Sequence, residues 1–228
     1  MKKPRIRSAP VIAIDGPVGA GKSTVAKHLA QRLGYRYVDT GAMYRAVAWL
    51  AQQRGADLKD QHAVAALARS LRIEFVPAGE RQRVIVNGLD ITEEIRTPQV
   101  SEGASIASAY PAVREAMVAV QRALGAHGGV VMEGRDIGTV VFPDAEVKVY
   151  LDASPEQRAR RRYEELRASG VTVDFEALRR AEEERDRRDA TRDHSPLRVA
   201  DDAVVIDTTD RSVEDVVEQI LTLVRARG

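Results

Sequence analysis

The most specific chemical signal in the chain is a glycine-rich run at residues 16–24. It fits the pattern G-x-x-x-x-G-K-[ST] and consists of Gly16, Pro17, Val18, Gly19, Ala20, Gly21, Lys22, Ser23 and Thr24. Such a loop turns backbone N–H groups inward around phosphates, and the helix after it adds the partial positive charge of its N-terminus. Lys22 would then reach the β- and γ-phosphates of a bound nucleotide, and the Ser23 hydroxyl would ligate Mg²⁺. The loop therefore predicts a site for Mg-ATP.

Two more polar clusters follow apolar runs of the sequence. The first is Asp39-Thr40-Gly41-Ala42-Met43-Tyr44-Arg45, and the second begins Glu133-Gly134-Arg135-Asp136. In an open parallel sheet, ligands bind at the carboxyl ends of the strands, where both clusters would lie. Arg45 and Arg135 are suited to hold a second phosphate, although an arginine beside a strand end is often a surface ion pair. A P-loop alone does not select a reaction, so these clusters must indicate the acceptor.

Charged residues near the C-terminal end of the chain recur with helical periodicity. Spacings of three and four place four of them on one helix face: Arg185, Arg188, Asp189 and Arg192. Two interpretations stay open, a face that binds a phosphorylated ligand or a solvated helix stabilised by i,i+4 pairs. Arg158 and Arg162, one turn apart on an earlier predicted helix, could likewise face ATP or belong to an ordinary helix surface.

The elements that must position these residues alternate between short apolar runs and helical patterns. Strands are predicted at 10–15, 35–39, 129–133, 146–152 and 203–207, and a helix at 22–33 ends on Gly34. A capping box at 154–157 and a Ser212 cap begin two more helices. The second helix carries an apolar face made of Val213, Val216, Val217, Ile220, Leu221 and Val224. This order predicts an α/β fold, a P-loop core around a five-stranded parallel sheet.

Two stretches interrupt that alternation. Residues 40–128 combine helical runs with strand candidates at 72–76 and 83–87, joined by a turn at 77–79, and are interpreted as an inserted substrate-binding subdomain. Residues 158–198 are rich in charge and poor in apolar residues, and between Asp174 and Asp189 four are available for burial: Phe175, Ala177, Leu178 and Ala181. They predict a short, mobile lid. The expected division is a core of 9–40, 126–157 and 199–228, an insert of 41–125 and a lid of 158–198.

Composition excludes several classes of protein. The 228 residues contain no cysteine and four scattered histidines, so a thiolate or histidine metal site is not expected. With 35 basic and 34 acidic residues the net charge is +1, which argues against nucleic-acid binding. The apolar stretch 11–14 behind the basic residues 1–7 is too short for a signal peptide, and no segment approaches a membrane span. A cytoplasmic protein is predicted.

Across nearly its whole length the chain resembles the cytidylate kinase family. The segments that carry the resemblance are GPVGAGKST at 16–24, DTGAMYR at 39–45, EIRTPQVSEGAS at 94–105, VRE at 113–115, GRDIGTVVFPDA at 134–145 and ERDRRDATRD at 184–193. The resemblance implies a kinase that moves the γ-phosphoryl group of ATP to CMP or dCMP, with a core, a monophosphate-binding insert and a lid. GRDIGTVVFPDA is the most specific of these motifs.

The resemblance also implies roles for individual residues. It places Thr40, Ser105, Arg114 and Asp136 around the cytosine, Arg45, Arg135 and Arg192 on the CMP phosphate, and Arg185 with Asp189 at the sugar or its phosphate. Relatives often have Ser at the position of Thr40, which keeps the hydroxyl. Glu133 lies where relatives vary, and Asp15 is equally suited to hold a Mg²⁺-bound water or to support the loop turn. Neither residue receives a firm role.

The chemistry of the base agrees with these roles. Cytosine presents an exocyclic amine beside acceptors, so a carboxylate such as Asp136 with a donor such as Arg114 separates it from uracil. The acceptor phosphate is already ionised near neutral pH, so transfer needs alignment and charge neutralisation by Lys22, Arg185 and Arg192 rather than a base. Three alternatives stay open: a kinase for UMP or another monophosphate, a small-metabolite P-loop kinase, and an ATP switch without catalysis. A monomer is the expected state.

Overall fold

The computed structural model describes residues 7–79 and 81–227, and the chain divides into two compact units. The P-loop unit comprises Met1–Tyr37 and Gly125–Gly228, and the middle unit comprises Val38–Leu124. The predicted basic segment before Arg7 lies outside the described residues. Within the described ranges, no helix combines the length and the apolar character that crossing a membrane requires.

The P-loop unit is built around a parallel sheet of five strands, one of which ends in the first two residues of the middle unit. The strands are β1 (Val11–Asp15), β2 (Arg36–Asp39), β6 (Val130–Gly134), β7 (Val147–Asp152) and β8 (Val204–Asp207), in the order β2-β6-β1-β7-β8. β1 pairs in parallel with β6 and β7, and all five of its residues are buried. This sheet confirms the α/β prediction, with each strand within one residue of its predicted bounds, because continuous apolar runs mark strands that are buried on both faces.

Four helices complete the P-loop unit: α1 (Lys22–Leu33), α6 (Pro155–Ala168), α7 (Phe175–Thr191) and α8 (Val213–Arg227). α1 has its predicted bounds and ends on Gly34, which adopts a left-handed conformation. Ser154 caps α6 as predicted, and Ser212 accepts the N–H of Asp215 at 3.1 Å. Val216, Val217 and Ile220 of α8 are buried, but the first residue of the predicted apolar face, Val213, is 36% exposed.

The middle unit is mostly helical. It contains α2 (Thr40–Gln53), α3 (Gln61–Ser70), a 3₁₀ turn at Glu94–Arg96, α4 (Pro98–Ala107) and α5 (Pro111–Leu124), together with three strands. The strands β3 (Ile73–Ala78), β4 (Arg81–Val86) and β5 (Leu89–Asp90) form an antiparallel sheet in that order. Its own core includes Met43, Val64 and Met117.

The predicted turn at Pro77-Ala78-Gly79 is confirmed at Gly79 and is wrong for the first two residues. Pro77 and Ala78 lie inside β3, where they pair with Gln82 and Arg81 of β4. A proline interrupts a central strand because it lacks the N–H that a ladder needs, but β3 is at the edge of its sheet. The strand therefore continues through Pro77, and the chain reverses later.

Candidate active site

The phosphate loop links β1 to α1, and its shape depends on glycines that touch distant backbone. A Cβ on Gly16 would lie 2.0 Å from the carbonyl oxygen of Leu151, at the end of β7. A Cβ on Gly19 would lie 2.7 Å from the carbonyl oxygen of Arg158 on α6. Both separations are far below a carbon–oxygen contact distance, so no other residue fits at either position without moving the backbone.

Lys22, the first residue of α1, is only 6% exposed. Its Nζ donates to the carbonyl oxygen of Pro17 at 2.5 Å, so the side chain curls over the loop. Burial lowers the pKa of Lys22 below its usual range, and the nearby Arg135 lowers it further. A phosphate in the loop would supply the missing negative charge and favour the charged ammonium.

Helix α6 supports the loop from outside. The guanidinium of Arg158 donates to the carbonyl oxygens of Ala153 at 3.0 Å and Val18 at 3.1 Å, and forms an ion pair with Asp186 of α7. Asp186 in turn accepts the N–H of Val18 at 3.3 Å. Arg158 is therefore a support of the loop backbone, and its contact with ATP stays a prediction.

Arg162, predicted to contact ATP, lies on α6 with its side chain 20% exposed and pairs with Glu165 at 2.8 Å on the same helix. Its neighbour Arg161 makes the longer connection. Arg161 donates to the Thr208 hydroxyl at 3.0 Å and to the Thr208 carbonyl oxygen at 2.6 Å, joining α6 to the segment after β8. The contact of Arg162 with ATP stays a prediction.

Arg135, Asp189 and Arg192 form a second cluster in the P-loop unit. Nε of Arg135, at the end of β6, donates to Oδ2 of Asp189 at 2.9 Å, and the other oxygen of Asp189 lies 3.7 Å from Arg192. Arg192 also donates to the carbonyl oxygen of Ser195 at 2.6 Å. Asp189 of α7 is thus buried beside Arg135, while other positions of the helix carry exposed pairs such as Arg179 with Glu183.

The charges in this cluster stabilise one another. Burial alone would raise the pKa of Asp189, but Arg135, Arg185 and Arg192 hold it below its usual range. Burial would likewise lower the pKa of Arg135, and the carboxylates of Asp189 and Asp186 outweigh it and raise that pKa. Both pKa shifts favour the charged forms of Asp189 and Arg135, and the excess of arginine favours an anionic ligand.

Asp136 follows Arg135 directly and is 4% exposed. It precedes a π-helical turn at Ile137–Val141, which occupies the centre of the GRDIGTVVFPDA motif. Such turns occur frequently at functional sites. Glu133, two residues before Arg135, is buried and accepts the Tyr37 hydroxyl at 2.5 Å.

Four predicted acceptor residues belong to the middle unit. Thr40 begins α2 and is 3% exposed, and Arg45 pairs with Asp39 at 2.7 Å. Ser105 of α4 is 7% exposed, and its hydroxyl oxygen has no hydrogen-bond partner among the described residues. Arg114 of α5 is 4% exposed and lies over the ring of Tyr44 at 5.4 Å.

The structure thus groups the predicted residues by unit. The phosphate loop, Arg135, Asp136 and the charged face of α7 belong to the P-loop unit, whereas Thr40, Arg45, Ser105 and Arg114 belong to the middle unit. No sequence motif assigned a role to Asp186 or Arg161. Asp186 was detectable, because it lies three and four residues from Asp189 and Glu182 on the same helix face.

A phosphate loop with a buried lysine, set between the first strand and first helix of this parallel sheet, defines a P-loop kinase core. Residues 12–226 match the model of the family described as cytidylate kinase, and the chain belongs to that family.

Curated relatives agree with this membership. A cytidylate kinase of Geobacillus kaustophilus (strain HTA426) is 54% identical over 216 residues, covering 95% of this chain and 96% of the relative. A cytidylate kinase of Pelotomaculum thermopropionicum is 53% identical over 222 residues, covering 97% and 98%. That of Bacillus subtilis (strain 168) is 50% identical over 217 residues, covering 95% and 97%.

Solved structures show the same fold at much lower identity. A shikimate kinase from Bacteroides thetaiotaomicron aligns with a TM-score of 0.50 at 13% identity, covering 95% of this chain and 98% of that one. An uncharacterized protein from Eubacterium ventriosum aligns with a TM-score of 0.51, also at 13% identity, covering 96% and 99%. At this identity the likeness concerns the fold alone.

Proposed function

We propose that the protein transfers the γ-phosphoryl group of ATP to CMP or dCMP, giving CDP or dCDP and ADP. The observation that carries the proposal is the match to the cytidylate kinase family over residues 12–226, in a chain whose phosphate loop is complete. The curated relatives of that name cover at least 95% of the chain in the examples above.

The phosphate loop binds the donor. Its backbone N–H groups and the start of α1 hold the β- and γ-phosphates, and Lys22 becomes fully charged as they enter. Lys22, Arg185 and Arg192 then neutralise the charge on the group in transfer. The acceptor oxygen belongs to a phosphate with a second pKa of about 6, so no side chain has to remove a proton from it.

Magnesium is the metal that the donor groups fit. Ser23 is an exposed residue on the first turn of α1, directly after the loop lysine. Among the described residues no cluster of histidine, cysteine and carboxylate side chains could hold a metal by itself. This suits Mg²⁺, which commonly binds through substrate phosphates and a few protein oxygens, and Ser23 would be its protein ligand. When bound, the ion neutralises charge on the β- and γ-phosphates.

The acceptor is recognised at its base and at its phosphate. Asp136 accepts the exocyclic amine of cytosine, Arg114 donates to the ring acceptors, and Thr40 and Ser105 complete the polar surroundings. The unpartnered hydroxyl of the buried Ser105 supports this role, because such a group costs free energy until a ligand satisfies it. Arg45, Arg135 and Arg192 bind the CMP phosphate, and Arg185 with Asp189 binds the sugar or its phosphate.

Two segments of the chain would enclose the bound substrates. Residues 41–125 serve as the monophosphate-binding insert and 158–198 as a lid that closes before transfer, which keeps water from the phosphoryl group. Arg162 contacts ATP when the lid is closed. The protein acts as a cytoplasmic monomer, with ATP and CMP or dCMP as its partners and without nucleic acid or membrane.

A panel of acceptors tests the base assignment. ADP formation is measured with Mg-ATP and equal concentrations of CMP, dCMP, UMP, AMP, GMP and dTMP. We expect turnover with CMP and dCMP well ahead of UMP. Preference for another monophosphate would keep the P-loop chemistry but overturn the base roles, and absence of turnover with every monophosphate would leave the small-metabolite and switch alternatives.

One substitution makes that test more specific. Asp136→Asn offers an amide N–H donor to the carbonyl of uracil, so the ratio of CMP to UMP turnover should fall about tenfold or more. Asp201→Asn makes the same change at an exposed position and should leave the ratio unchanged. An unchanged ratio in the Asp136 variant would contradict the assigned role.

A further inference from the structure

Asp15, the last residue of β1, is a buried carboxylate to which the proposed reaction assigns no task. It is 5% exposed. Its Oδ1 accepts the N–H of Ile137 at 2.8 Å, and its Oδ2 accepts the N–H of Gly138 at 2.7 Å. Both oxygens are committed to the backbone of the π-helical turn, 122 and 123 residues away along the chain.

This contact takes the place of a local cap. The first N–H groups of a helical turn lack partners within the turn, and an aspartate at the capping position usually accepts one with its own side chain. Asp136 occupies that position, yet its side chain makes no capping hydrogen bond. Asp15 caps the turn instead.

The turn is also confined from the side of β7. A Cβ on Gly138 would lie 3.2 Å from Cδ of Lys148 and 3.4 Å from Oδ2 of Asp15. Lys148 is itself fixed, because its Nζ donates to the carbonyl oxygen of Pro143 at 2.6 Å and pairs with Asp202 at 2.8 Å. The backbone after Asp136 therefore has little freedom to shift.

We propose that Asp15 is a positioning residue for acceptor recognition, which fixes the amides of Ile137 and Gly138 so that Asp136 is presented to the base of the monophosphate. The inference rests on the proposed function. It also gives β1 two tasks, because the same strand continues into Gly16 and the phosphate loop. Donor and acceptor recognition would then share one rigid support.

The charge of Asp15 gives this inference a pH signature. Burial raises the pKa of Asp15 to about 6, against the lowering effect of its two backbone N–H partners. Asp136, Lys22 and Tyr150 interact electrostatically with Asp15, and Lys148 lies beside Gly138 of the turn. A protonated Asp15 is a weaker acceptor than the carboxylate, so acceptor binding should weaken as the pH falls through about 6.

Asp15→Asn tests the inference, because the amide keeps the shape but faces one backbone N–H with a donor. At about pH 7.5 and saturating Mg-ATP, we expect the KM for CMP to rise about tenfold, with kcat and the KM for ATP within about twofold of the wild type. Asp60→Asn is the matched control, because Asp60 also accepts two backbone N–H groups, at the start of α3.

The ratio of the KM values for CMP, variant over wild type, cancels the titration of the substrate phosphate. It should fall towards one below about pH 6, where Asp15 of the wild type is protonated as well. A ratio that is independent of pH, or equal rises in the KM for CMP and for ATP, would overturn the inference. A wild type that does not turn over CMP would instead refute the proposed function.

Gly138→Ala keeps the inference testable if the Asp15 variant does not fold. Its methyl group presses on the flexible methylenes of Lys148 and on Asp15 without removing a charge. We expect the KM for CMP to rise about threefold, while the KM for ATP stays unchanged. An unchanged KM for CMP in a correctly folded Gly138 variant would contradict the positioning role.

Discussion

Two buried carboxylates of the P-loop unit, Asp15 at the end of β1 and Asp189 on α7, are equally hidden, each 5% exposed. Their titration differs. Burial raises the pKa of Asp15 to about 6, since its partners are backbone amides. Burial acts on Asp189 in the same sense, but three arginines outweigh it and hold its pKa below the usual range. Equal burial thus gives opposite shifts, and the partners decide the sign.

The basic residues of the phosphate loop and of the cluster beside α7 also have pKa values shifted in opposite directions. Burial lowers the pKa of Lys22 in the phosphate loop, whereas carboxylates raise that of Arg135 beside α7 despite its burial. The loop therefore carries a charge that a ligand has to stabilise. The face of α7 is stabilised by the protein itself before any ligand arrives.

Of the substitutions in these two regions, Lys22→Ala should have the largest effect on activity. The variant removes the ammonium group that is expected to bind the β- and γ-phosphates of ATP. The value of kcat should therefore fall about a thousandfold while the fold persists. Activity with Mg-ATP and CMP and the thermal unfolding curve are the measurements. Lys27→Ala, on the same helix, should stay within about twofold of the wild type. Equal losses in both variants would mean that the loop lysine has no special role.

The pH dependence of stability should separate the two carboxylates. Asp15 binds its proton more tightly in the folded protein, so its contribution is greatest below about pH 4 and falls by up to about 3 kcal/mol as the pH rises to about 6. Asp189 has the reverse sign: its contribution is present above about pH 4 and is lost as the pH falls through its lower folded pKa.

Urea unfolding of the wild type, Asp15→Asn and Asp189→Asn from about pH 4 to pH 8 measures both signs. The stability advantage of the wild type over Asp15→Asn should shrink as the pH rises to about 6 and then level off. Its advantage over Asp189→Asn should instead grow or stay constant over the same interval. If the stability of both variants relative to the wild type changed with pH in the same way, the opposite pKa shifts of Asp15 and Asp189 would be contradicted.

Arg185→Ala should weaken both binding and rate. Arg185 interacts electrostatically with Asp189 and with Lys22. We expect kcat/KM for CMP to fall about thirtyfold in the variant, through both a lower kcat and a higher KM. Arg187→Ala removes a neighbouring arginine that is 72% exposed, and should leave both constants unchanged. Wild-type kinetics in the Arg185 variant would show that the charged face of α7 is not part of the site.

The smallest expected effect concerns stability on the two sides of α7. Arg179→Met breaks exposed pairs and should change the thermal unfolding temperature very little, an effect that salt abolishes. Arg158→Met removes the largely buried partner of Asp186 and should cost about 2 kcal/mol, with little dependence on salt. Thermal unfolding at low and high salt compares them, and equal costs would contradict the difference in burial.

The sequence predicts what depends on neighbours along the chain. The bounds of α1 and its glycine stop were predictable because periodicity and capping are local signals, and the loop between β1 and α1 carries its own motif. The edge position of β3 was not predictable, because the order of strands in a sheet does not follow from local sequence patterns. For this reason Pro77 was predicted to lie in a turn.

Parts of the site also depend on contacts that no spacing reveals. Arg135 and Asp189, which form an ion pair, are 54 residues apart in the chain. Val18 and Asp186, which are joined by a hydrogen bond, are 168 residues apart. The resemblance to a family supplied the candidate residues, but only the fold showed that Asp15 caps the turn after Asp136. Spacing on α7 predicted the shared face without predicting which charges would be buried.

The close approach of Gly16 to Leu151 and of Gly19 to Arg158 bears on how the phosphate loop can be transplanted. The nine residues do not hold their shape alone, because β7 and α6 form the walls against which the glycines lie. A graft of residues 16–24 into another scaffold would carry the motif without those walls. The unit that can be moved between proteins is therefore the loop together with the junction between β7 and α6.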